Sequence, residues 1–444
     1  MNSGTRRMVI ACDGTGQSAS REIKPTTNVI RFCHALSTDF SSTSHRDIPA
    51  QQMIFYQSGI GTAASGIIHD AYAEGTGLGI DDNVLDAYTF IMNNYIQDDE
   101  LYIFGFSRGA FTARVLAGLI VQLGIFKTTH LTDFKNAFKA YRTSEDEWKN
   151  YLDFFHKELE RDRNSGKEPR TRKTTIQVVG CWDTVGSVGL PMVQPIIGRL
   201  RGSSGVYDPS LLGNSSSRCF AEVQHAFHAL ALDECRRPFS PTLWYLPKTS
   251  NTVLEQCWFA GAHSNVGGGY ADTALSDLAL AWMIDRCSPY LTFDRKELQN
   301  ICHLHRNPKP KIILQPPKDE NYDEKYQEWS KGLLHDSYKR SSYALQLQGW
   351  RYRRPGEYGD KEGADGHSDR TFEVMHASVR ERWNARNELK VKWKPESLSG
   401  LVPRESAPGE WEWFKAGKWG SPDLIIKEAP IKKGSLEAQL RNGS

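Results

Sequence analysis

The sequence predicts an α/β fold, a mostly parallel sheet with helices on both faces. Three observations predict it. Short apolar runs alternate with amphipathic helical stretches through the first 290 residues. The runs are continuously apolar rather than alternating, as strands covered on both faces require. Three of them lead directly into loops holding Ser107, Asp183 and His263, and parallel sheets collect reactive groups at the carboxyl ends of their strands.

The elements follow in order. Met8 to Cys12 is a short buried strand that ends in Asp13-Gly-Thr-Gly-Gln17. A helix follows, its apolar face made of Val29, Phe32, Cys33 and Leu36, and Met53 to Gln57 is the next strand. A glycine-rich connection, 59–79, leads to a helix opened by Asp81-Asp82 with Val84, Tyr88, Ile91 and Tyr95 on one stripe. Leu101 to Phe106 is a strand, and the helix after it carries Phe111, Val115, Leu119 and Leu123 up to a C-capping Gly124.

Residues 125–175 contain Phe134, Phe138 and Tyr141 and then a charged helical run from Trp148 to Asp162, and read as a helical insertion near the site. Ile176 to Trp182 is another strand, Leu243 to Leu246 a short further one, and Gln256 to Ala260 the last. Ser276 caps a helix that presents Leu280, Met283 and Ile284. Between them, residues 187–221 are rich in Gly, Pro and Ser around an apolar stretch from Leu190 to Ile197, the composition of a lid over a cleft. The pattern turns irregular after about residue 287. The expected organisation is a catalytic domain over 6–290 and a C-terminal accessory region over 291–444, packed on it.

With 39% hydrophobic and 24% charged residues among 444, the chain has the composition of a globular protein with a substantial core. A net charge of +2 gives no electrostatic preference for nucleic acid or anionic membranes. Arg351, Arg353 and Arg354 beside Trp350 and Tyr352 therefore read as a solvated face rather than a nucleic-acid patch. No apolar run approaches the roughly 18 residues of a membrane span, and no signal-peptide core precedes the first strand, so the expected location is cytoplasmic. The eight cysteines lack paired spacings and read as reduced core residues.

Gly105-Phe-Ser-Arg-Gly109, between a strand and a helix, has the form of a nucleophile elbow: a serine on a tight, strained turn needs small neighbours on either side. A hydroxyl attacks only when an imidazole takes its proton, and a carboxylate must hold that imidazole in one tautomer. Asp183 follows one strand and His263 lies in the loop after the last, so the chain order is Ser, Asp, His, the order of α/β-hydrolases. The oxyanion donors expected are the backbone amides of Arg108 and of Gly14 or Thr15. Asp13 and Phe106 beside the elbow, with Leu190 and Val193 of the lid, are the expected substrate contacts.

Other readings fit less well. Asp13-Gly-Thr15 lacks the first aspartate of a D-x-D-G-T phosphatase loop, since Ala11 stands there. Gly75-Thr-Gly-Leu-Gly79 misses the dinucleotide spacing, and His225-Ala-Phe-His228 and His303-Leu-His305 lack further ligands at zinc-site spacing. No metal and no cofactor is expected.

The chain resembles the α/β-hydrolase family of the type VI secretion phospholipase effectors and its uncharacterised bacterial and fungal relatives. The likeness rests on Asp13-Gly-Thr-Gly16, Thr27-Asn-Val29, Tyr56-Gln-Ser-Gly-Ile-Gly-Thr62 and Gly105-Phe-Ser-Arg-Gly-Ala-Phe-Thr-Ala-Arg114. It continues through Trp182-Asp-Thr-Val-Gly186, His228-Ala-Leu-Ala-Leu-Asp-Glu234 and Gly261-Ala-His-Ser-Asn-Val-Gly-Gly-Gly-Tyr270. His335-Asp-Ser337 and His376-Ala-Ser-Val-Arg380 extend it more weakly to about residue 385. It implies Ser107 as nucleophile, Asp183 as acid and His263 as base, and phospholipase activity; the family usually has aspartate where this chain has Asn265. The expectation is a serine hydrolase of lipid or other acyl esters. Acyl transfer or a lyase-like rearrangement on the same scaffold, and a scaffold without chemistry, are the alternatives.

Overall fold

The computed structural model of the chain describes residues 6–14, 26–37, 51–59, 80–185, 223–246, 250–306, 329–339, 341, 343–347, 349–358, 361–362, 368–387, 393–417 and 422–442. The connection 60–79, the lid-like stretch 187–221 and with it Leu190 and Val193, and Thr15 lie outside the described residues.

Seven strands form the central sheet: β1 (Arg7–Cys12), β2 (Gln52–Gln57), β3 (Glu100–Phe106), β4 (Ile176–Trp182), β5 (Val223–Ala231), β6 (Val253–Phe259) and β7 (Glu373–Met375). Their spatial order is β7-β6-β5-β4-β3-β1-β2, and every pairing in it is parallel. The α/β prediction is therefore met. The core strands are apolar throughout because successive side chains feed two different cores. Met8 and Ile10 of β1 join Leu101 and Ile103 of β3 on one face, while Val9 and Ala11 join Tyr102 and Phe104 on the other.

The first face is covered by α2 (Ile80–Asn94) and α3 (Arg108–Leu123), the second by α1 (Asn28–Ala35) and, after β6 and the short α6 (His263–Gly267), by α7 (Ala274–Cys287). Gly124 ends α3 as expected, at φ 77°. The 125–175 insertion is a pair of helices, α4 (Leu131–Thr143) and α5 (Glu145–Asn164), whose Phe134, Phe138, Trp148 and Phe155 extend the first core. It departs from the far end of α3, about 24 Å from Ser107 at 1.5 Å per residue. Its turn comes back to the start of α2, where Arg142 pairs with Asp81.

The structure departs from the sequence reading in four places. Val223–Ala231 is a full strand, although its Ala and His content gives it weak strand propensity. Leu243 to Leu246 is not a strand; the Gln256 side chain pairs with the Trp244 amide and carbonyl there, occupying the groups that a ladder would use. Thr273, not Ser276, stands at the N-cap of α7, and Ser276 is buried inside the first turn. The sheet does not end at residue 260, because β7, from the C-terminal region, adds a parallel edge to β6.

The rest of the C-terminal region includes α8 (Arg295–Arg306), α9 (Ala377–Ala385) and an antiparallel sheet of β8 (Val402–Ala407), β9 (Glu410–Lys415) and β10 (Leu424–Lys427), with α10 (Leu436–Asn442) after it. Trp413 of β9 and Ile426 of β10 share a core with Trp258 of β6 and Met375 of β7. Among the described residues no helix is long and apolar enough to cross a membrane, and the seven cysteines there are free thiols.

Candidate active site

The strand order reverses between β1 and β3, and in open parallel sheets the crevice at such a reversal, outside the carboxyl ends of the strands, is where ligands bind. Register brings the reactive groups to it. Phe106 lies opposite Trp182, so that Ser107 and Asp183 leave neighbouring strands at the same level, with the Ser107 amide donating to the Trp182 carbonyl at 3.0 Å. Ser107 adopts φ 58° and ψ −122°, a conformation that L-residues rarely hold. The turn is this tight because α3 passes against the end of β1: a Cβ on Gly109 would come within 2.3 Å of the Cys12 carbonyl oxygen and 2.4 Å of that of Asp13.

His263, the first residue of α6, is seated between the other two groups. Its Nε2 lies 2.8 Å from Ser107 Oγ and its Nδ1 2.6 Å from Asp183 Oδ2. All three are buried, at 7% exposure for the serine, 5% for the histidine and none for the aspartate. Burial draws the imidazole's pKa below the ordinary histidine value, against the pull of Asp183. Burial alone would raise the Asp183 carboxyl, but the Arg353 guanidinium and the His263 hydrogen bond outweigh it and hold it well below the usual carboxylate range. Asp183 is thus held as the anion and His263 as the neutral imidazole, with Nδ1 placed to donate to the carboxylate.

Two aromatic rings pack against the imidazole. The Phe106 ring lies 4.6 Å from it, tilted, and the Phe239 ring meets it edge-on at 5.0 Å. The Arg236 guanidinium covers the outer face of Phe239 at 3.5 Å and grips Glu234, which accepts the His263 amide at 3.2 Å and the Ser337 hydroxyl at 3.0 Å. A Cβ on Gly267 would fall within 2.0 Å of the Phe106 ring, so the glycine run after His263 is what lets the α6 turn close over that phenylalanine. Asn265 accepts from the Ala262 amide and donates to the Leu333 carbonyl. An aspartate there has no hydrogen to donate, which accounts for the amide in this chain.

Several expected contacts have different duties. Asp13 is buried at 2% exposure and accepts from the Thr27 hydroxyl, the Tyr56 hydroxyl and the Gly14 amide at 2.9, 2.7 and 2.7 Å. It ties β1, α1 and β2 together rather than facing a substrate. Burial pushes its carboxyl up to about 6 despite those three donors. The Gly14 amide is in turn engaged by Asp13 instead of opening toward Ser107, contrary to the expectation of an oxyanion donor. Arg108 is the first residue of α3, where amides gather at the positive end of the helix dipole. Phe106 is 3% exposed and buttresses His263 rather than lining a pocket.

Sequence patterning missed Glu234, Arg236, Phe239 and above all Arg353. Of the basic cluster read as a solvated face, Arg351 and Arg354 are exposed, but Arg353 is buried and forks onto Asp183. Sequence patterning would bury Trp350 and Tyr352 rather than the arginine after them, and the structure has it the other way round, with both aromatics exposed and Arg353 buried. His228, on the interior strand β5, accepts from the Thr184 amide and meets Gln256; burial, with Arg114 nearby, pushes it down to about 3. Its ring nitrogens are engaged away from Ser107. His225 bonds Gln177 and Tyr290, and His305 pairs with Asp277. Among the described residues no group of three or more His, Cys, Asp or Glu side chains is placed to hold a metal ion.

The catalytic-domain model of the type VI secretion system phospholipase effectors, Tle1-like, matches residues 6–286. The chain belongs to the Tle1-like phospholipase effector family. An uncharacterised protein of Saccharomyces cerevisiae, YEL023C, is 26% identical over 278 residues, covering 58% of this chain and 36% of the yeast protein. Two solved structures are also similar. The Tle1 effector bound to the VgrG spike shares 18% identity over 60% of this chain and 52% of that one, with a TM-score of 0.32. An uncharacterised protein from Pseudomonas aeruginosa shares 15% over 64% and 46%, with a TM-score of 0.34. The chain thus spans about a third to a half of these relatives, and the Tle1-like family match ends well before Arg353.

Proposed function

We propose that the chain is a serine hydrolase of acyl esters, with lipid or phospholipid as the substrate class. The observation that carries this reading is the unbroken Ser107–His263–Asp183 hydrogen-bonded chain at the crevice of the sheet, on a serine of strained backbone. Membership of the phospholipase effector family supports the lipid part of it.

The chemistry follows from the geometry. As Ser107 Oγ attacks the ester carbonyl, His263 Nε2 takes its proton, and the imidazolium that forms is stabilised by Asp183 at Nδ1. The tetrahedral oxyanion lies toward the N-terminus of α3, where the Arg108 amide is the proposed donor. Collapse expels the alcohol, which receives the proton from His263 and leaves an acyl-enzyme on Ser107. A water molecule, deprotonated by the same nitrogen, then releases the acid.

The test is fatty-acid release from phosphatidylcholine vesicles beside hydrolysis of p-nitrophenyl esters of graded chain length, by the wild type and by Ser107→Ala. Acyl-ester cleavage lost in the variant supports the reading. A wild type that cleaves neither substrate class, or a variant that cleaves as well as the wild type, overturns it.

A further inference from the structure

Arg353 lies 67 residues beyond the end of the family match, yet it is less exposed than the serine it stands behind, 2% against 7%. It reaches the site because its strand-like segment runs beside 235–239: Trp350 bridges Arg236, and the Arg351 amide donates to the Cys235 carbonyl. We infer that Arg353 is a positioning residue of the triad, and that the catalytic unit of this chain therefore extends into the C-terminal region. This rests on the serine-hydrolase reading above.

The hydrogen bonds specify what the guanidinium does. Nη1 donates to Asp183 Oδ1 at 2.5 Å and to the Ala231 carbonyl at 2.7 Å; Nη2 donates to Asp183 Oδ2 at 3.0 Å and to the Phe239 carbonyl at 2.7 Å. One planar group thus holds both oxygens of the carboxylate, and the Ala231 amide adds a third donor on Oδ1 at 2.9 Å. The plane of the carboxylate is set, and Oδ2 is turned to His263. The same fork anchors the backbone of Phe239, whose ring packs on the imidazole. A lysine ammonium would supply the charge without the fork.

Charge is the second part. A fully buried carboxylate without a counter-ion takes up a proton, and a neutral acid cannot stabilise an imidazolium. The charged groups that act on the imidazole are Asp183, Arg236 and Glu234, and Arg353 acts on the two carboxylates among them. Behind Asp183, His228 is held neutral by burial with Arg114 nearby, and Tyr358 stands by Arg353 with its phenol pushed up by burial. Removing Arg353 takes a positive charge from beside the buried Asp183–His263 pair, so a proton binds the pair more easily, whether on the carboxylate or on the imidazole. His263 would then lose its competence as a base at a higher pH than in the wild type.

The experiment is the rate of fluorophosphonate labelling from pH 5 to 9 for the full-length wild type, Arg353→Gln and Arg353→Lys, with thermal unfolding of each and Ser107→Ala in parallel. Arg353→Gln should label at least about tenfold more slowly at pH 7.5, with the acid-side midpoint moved up by about half a unit or more. Arg353→Lys should keep the wild-type midpoint but label more slowly, having the charge without the fork. A folded Arg353→Gln with wild-type rate and midpoint would overturn the inference. If that variant does not fold, Arg353→Lys decides, and a wild-type rate at every pH would overturn it equally. Labelling of Ser107→Ala at the wild-type rate would instead show that the hydrolase reading itself fails.

Discussion

His263 stands between a hydroxyl at 2.8 Å and a carboxylate at 2.6 Å, and burial keeps it neutral below the pH at which an exposed imidazole charges. A base with a lowered pKa stays competent further into the acid range, so the acid limb of kcat/KM should have its midpoint below about 6.5. A midpoint above 7 would contradict the electrostatics of the site. Asp183→Asn should preserve the fold and lower kcat by about three to four orders of magnitude, because the amide presents the wrong partner to Nδ1. His228 makes its hydrogen bonds elsewhere, so His228→Gln should keep most of the activity while lowering the Tm. Asp183 and Asp13, both buried, couple stability to pH in opposite senses. Asp183 is held low, so its contribution is present above about pH 4 and is lost as pH falls through its folded value. Asp13 is raised to about 6, so the folded protein binds its proton first and stability falls as pH rises from about 4 to 6. Asp13→Asn should therefore compare more favourably with the wild type at pH 7.5 than at pH 5 in thermal unfolding, and an equal difference at both would contradict the assignment.

At the scale of the element, the strained turn at Ser107 was legible because its geometry is local. A serine at positive φ between a strand and a helix needs glycines, and glycines are visible in sequence. Gly109→Ala makes the point testable: its Cβ would meet backbone oxygens, which cannot turn aside as a side chain does. It should cost about 2–4 kcal/mol in denaturant unfolding, and a neutral substitution would show that α3 and β1 can separate. The buried strands of both cores were legible for a similar reason, since a run such as Ile176–Trp182 admits few other readings. Val223–Ala231 was not, because small residues and histidines carry neither a period nor strong strand propensity, and only its parallel neighbours on both sides fix it. The role of Asp13 was hidden likewise. A carboxylate beside the Ser107 turn reads as a substrate contact until its three donors, from Thr27, Tyr56 and Gly14, are in place.

Over the whole molecule, contacts cross the expected boundary near residue 290. β7 completes the edge of the sheet, Leu333 receives the Asn265 amide two residues from His263, and Arg353 holds Asp183. These are long-range contacts with no local signature, which is why they were invisible in sequence. A chain ending at residue 290 would bare Trp258 and the edge of β6. It should be insoluble or rapidly proteolysed, and inactive where any of it folds. A soluble 1–290 fragment with full esterase activity would show that the C-terminal half is dispensable.

The claim on which the rest depends is that Ser107 is the covalent centre. Mass-spectrometric mapping of the fluorophosphonate adduct on the full-length protein tests it most directly. One adduct is expected, on the peptide that contains Ser107, absent from Ser107→Ala and from heat-unfolded protein. An adduct on another residue that persists in Ser107→Ala, or an active enzyme that takes up no probe, would contradict it.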